Sequence, residues 1–490
     1  MDPLRIPREV IARIATGRGR ANSFVGANGT LEKRRVRPSG TDSKIMMNSY
    51  AERRNKLIEA FQGPSDGPIG LAKSTSNIFR DRETVRKKLL DVRSFSHVLR
   101  VDREAGWVET EGMTTYEDLV AATLPHAVMP AVVPQLKTIT IGGAIAGIGI
   151  EATSFRHGLV HENIEEFDVL TGNGEVVTCS PGGEHRELYF GFPNSYGTLG
   201  YALRIKARTV RVARFVRLEH RRFSDPEVYF RELERACRGD ADFVDGVVFG
   251  RDEMAVTEAR FVEESPFTSD YTWQQIYYKS IREKALDYLS ARDFLWRWDT
   301  DWFWCSRNLY AQNPLVRRLY GRSRLNSRTY TQIMRWNSKW GLTRMIDQFS
   351  GLHPESVIQD VDIPIGRAPE FLDFFHRQVG ILPIWICPIG ASAQAGAFSL
   401  YPMKPGEHYV NFGFWDVVRR RERHPPGHFN RLIEEKVAEL GGIKSLYSDS
   451  YYPAEEFWRI YGGEAYRRLK AKYDPQGVFG DLYAKCVLGR

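Results

Sequence analysis

Residues 140–159 read TIGGAIAGIGIEATSFRHGL. The five glycines are Gly142, Gly143, Gly147, Gly149 and Gly158, and the first four fall within eight residues. Glycine lets the backbone approach a ligand closely and adopt positive φ. Glu151, Ser154, Arg156 and His157 follow only afterwards. Three readings compete. A dinucleotide turn of the G-x-G-x-x-G type would use Gly147 and Gly149, but Ala152 stands at the third position and no long helical pattern follows. A tight structural turn needs no ligand. A nest of successive backbone N–H groups would cradle an anion such as pyrophosphate, and explains why the glycine half needs no side chains.

Working outward, residues 68–210 read as an α+β unit. SHVLRVDREAGWVETEG (96–112) alternates strand, turn and strand about Asp102–Gly106. Thr114-x-x-Glu117 and Thr115-x-x-Asp118 are capping-box patterns that open a helix through YEDLVAATL. FDVLTGNGEVVTC (167–179) is a hairpin turning at Asn173-Gly174, and GTLGYALRIKARTV (197–210) is a glycine turn followed by a strand. From 211 to 464 the pattern shifts to longer strands with helices between them, which predicts a second domain on a mixed or antiparallel sheet. Residues 465–490 form a terminal segment with a helix, a Pro-containing turn and a short apolar end.

The chain has 490 residues, 42% hydrophobic and 27% charged, enough for two large domains. No run of eighteen apolar residues occurs, so no membrane-spanning helix is expected, and residues 1–20 lack the apolar core of a secretion signal. Five scattered cysteines show no CxxC spacing, and the histidines show no metal spacing. No metal is expected, the histidines of HRQV, RERHPPGH and elsewhere read as surface residues, and a reducing, cytoplasmic setting fits. The net charge is +8, and residues 1–60 hold thirteen Lys/Arg against six Asp/Glu. Residues 1–67 therefore read as a basic extension. It is either a solvated arm or a peripheral contact with an anionic membrane face, with Ile6, Val10, Ile11 and Ile14 as an apolar stripe beside Arg5, Arg8 and Arg13. No nucleic-acid-binding motif is present, and the oligomeric state is not legible.

PQLKTITIGGAIAGIGIEATSFRHGLVHENI, followed by VLTGNGEVV and GTLG, resembles the FAD domain of the vanillyl-alcohol-oxidase superfamily (the PCMH type), and more narrowly its Δ24-sterol reductase branch. FVDGVVF, NPLVRRLYG, VIQDVDIP, PIWICP and EEFW resemble later segments of that branch in the same order, so the likeness covers about 68–490. The resemblance implies an α+β fold with a two-part FAD-binding domain at 68–210, a mixed α/β substrate (cap) domain at 211–464, and a C-terminal segment, 465–490, that returns to the flavin. It implies non-covalent FAD, with Gly142, Gly143, Gly147 and Gly149 along the pyrophosphate and ribityl chain and Thr138 and Thr140 as hydroxyl donors. Glu151, Ser154 and His157 would sit near the isoalloxazine or the adenosine ribose. Gly197, Thr198 and Gly200 match the later turn on the adenine side. The usual glycine-rich phosphate loop is replaced by LAKSTSNIFR (71–80), where Lys73, Ser74, Thr75, Ser76 and Asn77 would supply donors and a charge.

Relatives of this branch reduce a C=C bond that no carbonyl activates. Such a bond takes a proton to give a tertiary cation, with hydride from the flavin. A sterol side-chain alkene and a methylene-branched fatty acyl chain both meet that demand, and bacterial flavoproteins similar to the branch act on the second. NADPH is the expected donor, visiting the same cavity. The acid must lie within hydrogen-bond reach of the carbon it protonates. Candidates are Lys485 and Tyr483 in DLYAKC, Asp449 and Tyr451 in LYSDSYYP, and Gln359 and Asp360 in VIQDVDIP. Four tryptophans lie between Trp296 and Trp304, as core packing or as the wall of a lipid tunnel. A flavin oxidase or dehydrogenase of an alcohol or sugar is the alternative.

Overall fold

The structure is a computed structural model that describes residues 40–64, 67–80, 86–340 and 351–490. The stripe and arginines at positions 5–14 lie outside these residues. Two antiparallel sheets organise the chain. The six-stranded sheet runs Val98–Asp102, Trp107–Glu111, Tyr201–Arg211, Ile164–Leu170, Val176–Cys179, with Val128–Pro130 also paired to the long Tyr201–Arg211 strand. A small parallel pair, Ile69–Ala72 with Lys88–Asp91, lies outside it. The Asn173-Gly174 hairpin forms as its sequence predicts, with Gly174 at φ +80. Of the two capping patterns, only the second acts as a cap. Thr115 Oγ1 accepts from Asp118 N–H and opens helix Tyr116–Thr123, while Thr114 is buried and bonded to Thr110.

The eight-stranded sheet runs Leu286–Ser290, Phe215–Phe223, Glu253–Val262, Phe243–Gly250, Ile384–Gly390, His408–Arg420, His353–Pro364, Ile443–Lys444. Every neighbouring pair is antiparallel. Helices Pro226–Cys237, Ala368–Gln378 and His428–Glu439 cover one face through Phe230, Leu233, Phe371, Phe375, Ile433 and Val437. The opposite face packs toward the first domain, so strands such as PIWICPI are apolar on both sides.

Two expectations are corrected here. Residues 1–67 are not all a solvated arm. Residues Gly40–Gln62 form a helix docked on the six-stranded sheet, with Leu57 buried, Tyr50 Oη donating to Asp168 at 2.7 Å and Arg53 Nε to Glu111 at 3.0 Å. The histidines are not all surface residues. His161 is buried edge-on to Phe398 and His220 is buried against Thr257 Oγ1 at 2.8 Å. Burial pushes their imidazoles down to about 3 and about 4, so both are neutral in the fold.

Candidate active site

A cleft of about 680 Å³ opens between the two sheets, a size at which pockets enclose organic cofactors. Its two ends differ in construction.

At one end the wall is backbone. Residues Ile141–Ala146 form a short helix, not the open loop the glycines suggest. Thr140 is its N-cap, with Oγ1 accepting from Gly143 N–H at 3.2 Å. Gly142, Gly143, Gly147 and Gly149 all line the cleft. Part of their role is chain-on-chain packing. Gly142 N–H donates to Gly112 O at 2.9 Å, and a Cβ on Gly142 would lie 2.6 Å from that oxygen. A Cβ on Gly149 would lie 2.6 Å from Val160 Cγ2. The segment 71–80 lies beside them. Thr75 Oγ1 donates to Thr138 O at 3.0 Å, and Thr138 Oγ1 donates to Asn77 Oδ1 at 3.1 Å. Lys73 and Ser76 line the same wall, whereas Ser74 is exposed outside it. Gly197 and Gly200 line it too, but Thr198 is buried behind, its hydroxyl donating to Ser195 O at 2.8 Å.

The polar half of the opening stretch does something else. Glu151, Ser154 and His157 do not line the cleft, because the chain passes there beneath the second sheet. Val244 N–H donates to Ala152 O at 2.8 Å, and Arg156 reaches Ala241 O at 2.8 Å. Glu151 turns into a buried ion cluster, 3.1 Å from Arg297, which also holds Asp245 at 2.7 Å. Ser154 Oγ accepts from Glu151 N–H at 3.1 Å, and His157 borders a separate polar hollow with His408. Glu151, through Arg297, and the Ala152 carbonyl, through Val244, join the domains here. Gln135 was not singled out by its sequence. It lines the cleft at 4% exposure, and neither atom of its amide has a hydrogen-bond partner within the protein.

At the other end the wall is aromatic. Trp302, Phe303, Trp385, Trp415 and Tyr447 converge there, with Phe303 4.4 Å from Trp415 and 5.4 Å from Trp385 between ring centroids. Of the four clustered tryptophans, Trp302 faces the cleft while Trp298 and Trp304 are core. Trp302 and Phe303 both hold left-handed backbone (φ +42 and +59), as do Asn194 and Tyr196 on the facing turn. Such conformations cost side-chain-bearing residues about 1–3 kcal/mol each and concentrate at functional sites.

Asp360 stands among these rings. Successive side chains on strand His353–Pro364 point to opposite faces. Val357, Val361 and Ile363 enter the helix-covered core, and Gln359 goes with them, its amide donating to Asn430 Oδ1 at 2.5 Å. Asp360 therefore faces the cleft, and Gln359 cannot. A missing Cβ at Gly413 makes room, since one would lie 2.7 Å from Asp360 Oδ1. That oxygen has no hydrogen-bond partner within the protein. Burial pushes the Asp360 carboxyl up to about 7, against the lowering effect of its hydrogen bonds to Tyr447 and Asn411. Tyr447 Oη also accepts from Trp415 Nε1 at 2.8 Å, which fixes the group in place.

The remaining candidates separate. Lys485 lines the cleft and its ammonium donates to Tyr196 O at 2.6 Å, tying the C-terminal helix Leu482–Cys486 to the facing turn. Tyr483 points away and donates to Tyr452 O at 3.1 Å. Tyr451 packs over Gly427 and under Arg431, and Asp449 offers its carbonyl to Lys444 Nζ at 2.5 Å; neither reaches the cleft. Among the described residues no group of three His, Cys, Asp or Glu is placed to hold a metal, and no helix is long and apolar enough to cross a membrane.

The cleft fits a flavin dinucleotide: its volume, its glycine backbone, the cations Lys73, Lys485 and Arg490, and the unpartnered Gln135 amide all suit one. Residues 68–180 match the FAD binding domain family, and the protein is an FAD-binding oxidoreductase with a two-part flavin domain and a mixed α/β second domain. Over most of its length it is similar to Delta(24)-sterol reductases. It is 26% identical to the human enzyme over 415 residues, 79% of this chain and 75% of that one. It is 24% identical to the Arabidopsis thaliana enzyme over 453 residues, 84% and 78% respectively. It is also 25% identical to cytokinin dehydrogenase 6 of Oryza sativa subsp. japonica over 406 residues, 76% and 72%. The resemblance read from the glycine stretch and the later motifs is thus borne out.

Proposed function

We propose that this chain reduces an isolated C=C bond of a lipid and that Asp360 supplies the proton. The observation that carries the proposal is a carboxyl pushed up to about 7, with one oxygen unpartnered, at the aromatic end of a flavin-sized cleft. Reduced FAD, when bound, supplies hydride; Gly142, Gly143, Gly147, Gly149, Lys73 and Thr75 would hold the dinucleotide. Asp360 passes its proton to the less substituted carbon of the double bond. The π pair forms that C–H bond and leaves a tertiary cation, which the hydride closes. Solvent returns the proton to Asp360. Trp302, Phe303, Trp385 and Trp415 exclude water that would otherwise capture the cation, and their π faces favour a positive charge. NADPH is the proposed donor, so one NADPH and one proton are consumed per saturated bond.

The names of the relatives support a sterol side chain. A methylene-branched acyl chain makes the same chemical demand, and the aromatic walls around Asp360 at this end suit either. Turnover in D2O tests the assignment of the proton. Solvent deuterium is expected at the less substituted carbon, with incorporation at that carbon abolished in Asp360→Asn. Undiminished incorporation in that variant would remove Asp360 from the role. An alcohol that bleaches the flavin and yields peroxide, with no alkene reduced, would replace the reductase by an oxidase.

A further inference from the structure

From the exposed surface of helix Pro314–Tyr320 and the charge around it, we infer that this segment is a docking surface for an anionic lipid bilayer. Residues 302–340 contain eight Lys/Arg and no Asp/Glu, whereas the rest of the chain after residue 60 holds 48 Lys/Arg against 55 Asp/Glu. On the helix, Leu315 and Leu319 are 74% and 72% exposed, the two most exposed large apolar residues of the described chain. They are four residues apart, so they share one face and stand one above the other. Arg317, between them in sequence, turns inward and anchors the helix through Asp301 at 2.7 Å. Asn313 caps it through Leu315 N–H at 3.0 Å, so the leucines sit on a fixed support and not on a loose loop.

The surrounding arginines are exposed. Arg307 pairs with Asp416 at 2.7 Å, and Arg322 with Asp270 at 3.0 Å. Arg318 and Arg324 have no acidic partner among the described residues. Two leucines projecting beside two unpaired arginines, with the paired Arg307, Arg322 and Arg328 around them, match the two layers of a membrane surface. The apolar pair enters the acyl boundary while the guanidinium groups meet the phosphates. A second copy of this chain suits the patch poorly, because a symmetric contact would bring the same arginines face to face. A nucleic acid would satisfy the arginines but leave the leucines uncovered. The aromatic wall of the cleft and this helix belong to one continuous segment, from Trp302 and Phe303 to Leu319, so docking here would set the apolar end of the cleft close to its lipid supply. The inference does not rest on the reductase reading, since it concerns only where the protein sits.

Flotation of the full chain with vesicles of phosphatidylcholine, with and without phosphatidylglycerol, tests it. The basic residues before position 60 are a second source of attraction to anionic lipid, so the comparison is between variants of the whole chain. Binding to the mixed vesicles is expected, with Leu315→Ser/Leu319→Ser weakening it about tenfold or more. Arg318→Glu/Arg324→Glu is expected to remove most of the preference for anionic over neutral vesicles. Flavin content and thermal midpoint should hold in both, because all four side chains are exposed; the single Leu319→Gln gives a milder version of the same test. Four results would overturn the inference. These are no vesicle binding by the unaltered chain, equal binding by all variants, a dimer in solution that the leucine variant dissolves, and binding to duplex DNA in place of vesicles.

Discussion

The two ends of the cleft are built by opposite means. The glycine end is made of backbone and short polar side chains supplied by contiguous segments, 71–77, 134–149 and 196–202. Its chemistry is a set of fixed donors and a few cations, which suits a ligand that is always the same. The aromatic end is assembled from Trp302 and Phe303, Asp360, Trp385, Trp415 and Tyr447, which come from separate strands and loops. Its chemistry is one buried acid in an apolar shell. In the proposed reaction the first end holds the flavin and the second reacts, so damage to each should be separable.

The largest effect is expected at Asp360. Asp360→Asn should slow reoxidation of reduced flavin by an alkene substrate by about 10²- to 10⁴-fold, the usual contribution of a positioned acid, while leaving flavin content and reduction by NADPH intact. Stopped-flow absorbance measures the two halves apart, and equal losses in both would break the division between the ends. The pH dependence comes next. The proton-bearing form of Asp360 prevails below about 7, so the alkene half-reaction should be flat below that pH and fall about tenfold per unit above it. Stability carries the same sign. The folded state keeps a proton that the unfolded chain has released, so stability should decline as pH rises from the ordinary 3.8 toward about 7. Asp360→Asn should reduce that decline in thermal melts without abolishing it, because the buried Asp362 carboxyl, also pushed up, to about 6, adds a decline of the same sign.

At the glycine end the expected losses are in binding. Gly142→Ala forces a Cβ to 2.6 Å from Gly112 O, so the short helix must shift. A cost of about 1–3 kcal/mol in stability is expected, with the protein purified largely without flavin; a yellow Gly142→Ala of unchanged melting temperature would show that the close packing is dispensable. The smallest effect is that of Lys485→Met. Removing the ammonium that holds Tyr196 O should weaken flavin binding about tenfold, without moving the pH profile, as read by fluorescence titration. A shifted profile would instead return Lys485 to the role of acid.

The same contrast explains what the sequence revealed. The hairpin at Asn173-Gly174 and the Thr115 cap are local patterns, and they were legible. The glycine end was legible because it is contiguous, although the glycines alone did not reveal that half of the stretch is a helix. Glu151, Ser154 and His157 were misplaced for a physical reason: seven residues of chain leave the cleft and dock under another domain, and nothing local marks that turn. Gln359 and Asp360 could not be told apart until the strand was paired, since period-two alternation assigns faces but not which face is the cleft. Trp385, Trp415 and Gln135 carried no signal, because an aromatic in a strand and an amide before a turn are ordinary until distant strands bring them together.

The most direct measurement is anaerobic. The purified yellow protein is reduced with NADPH, excess donor is removed, and a lipid bearing an isolated, tertiary-cation-forming C=C bond is added while flavin absorbance is followed. The colour should bleach with NADPH and return with the alkene, at a rate that Asp360→Asn suppresses. A flavin that NADPH cannot bleach, or that recovers its colour only with oxygen and never with an alkene, would contradict the account.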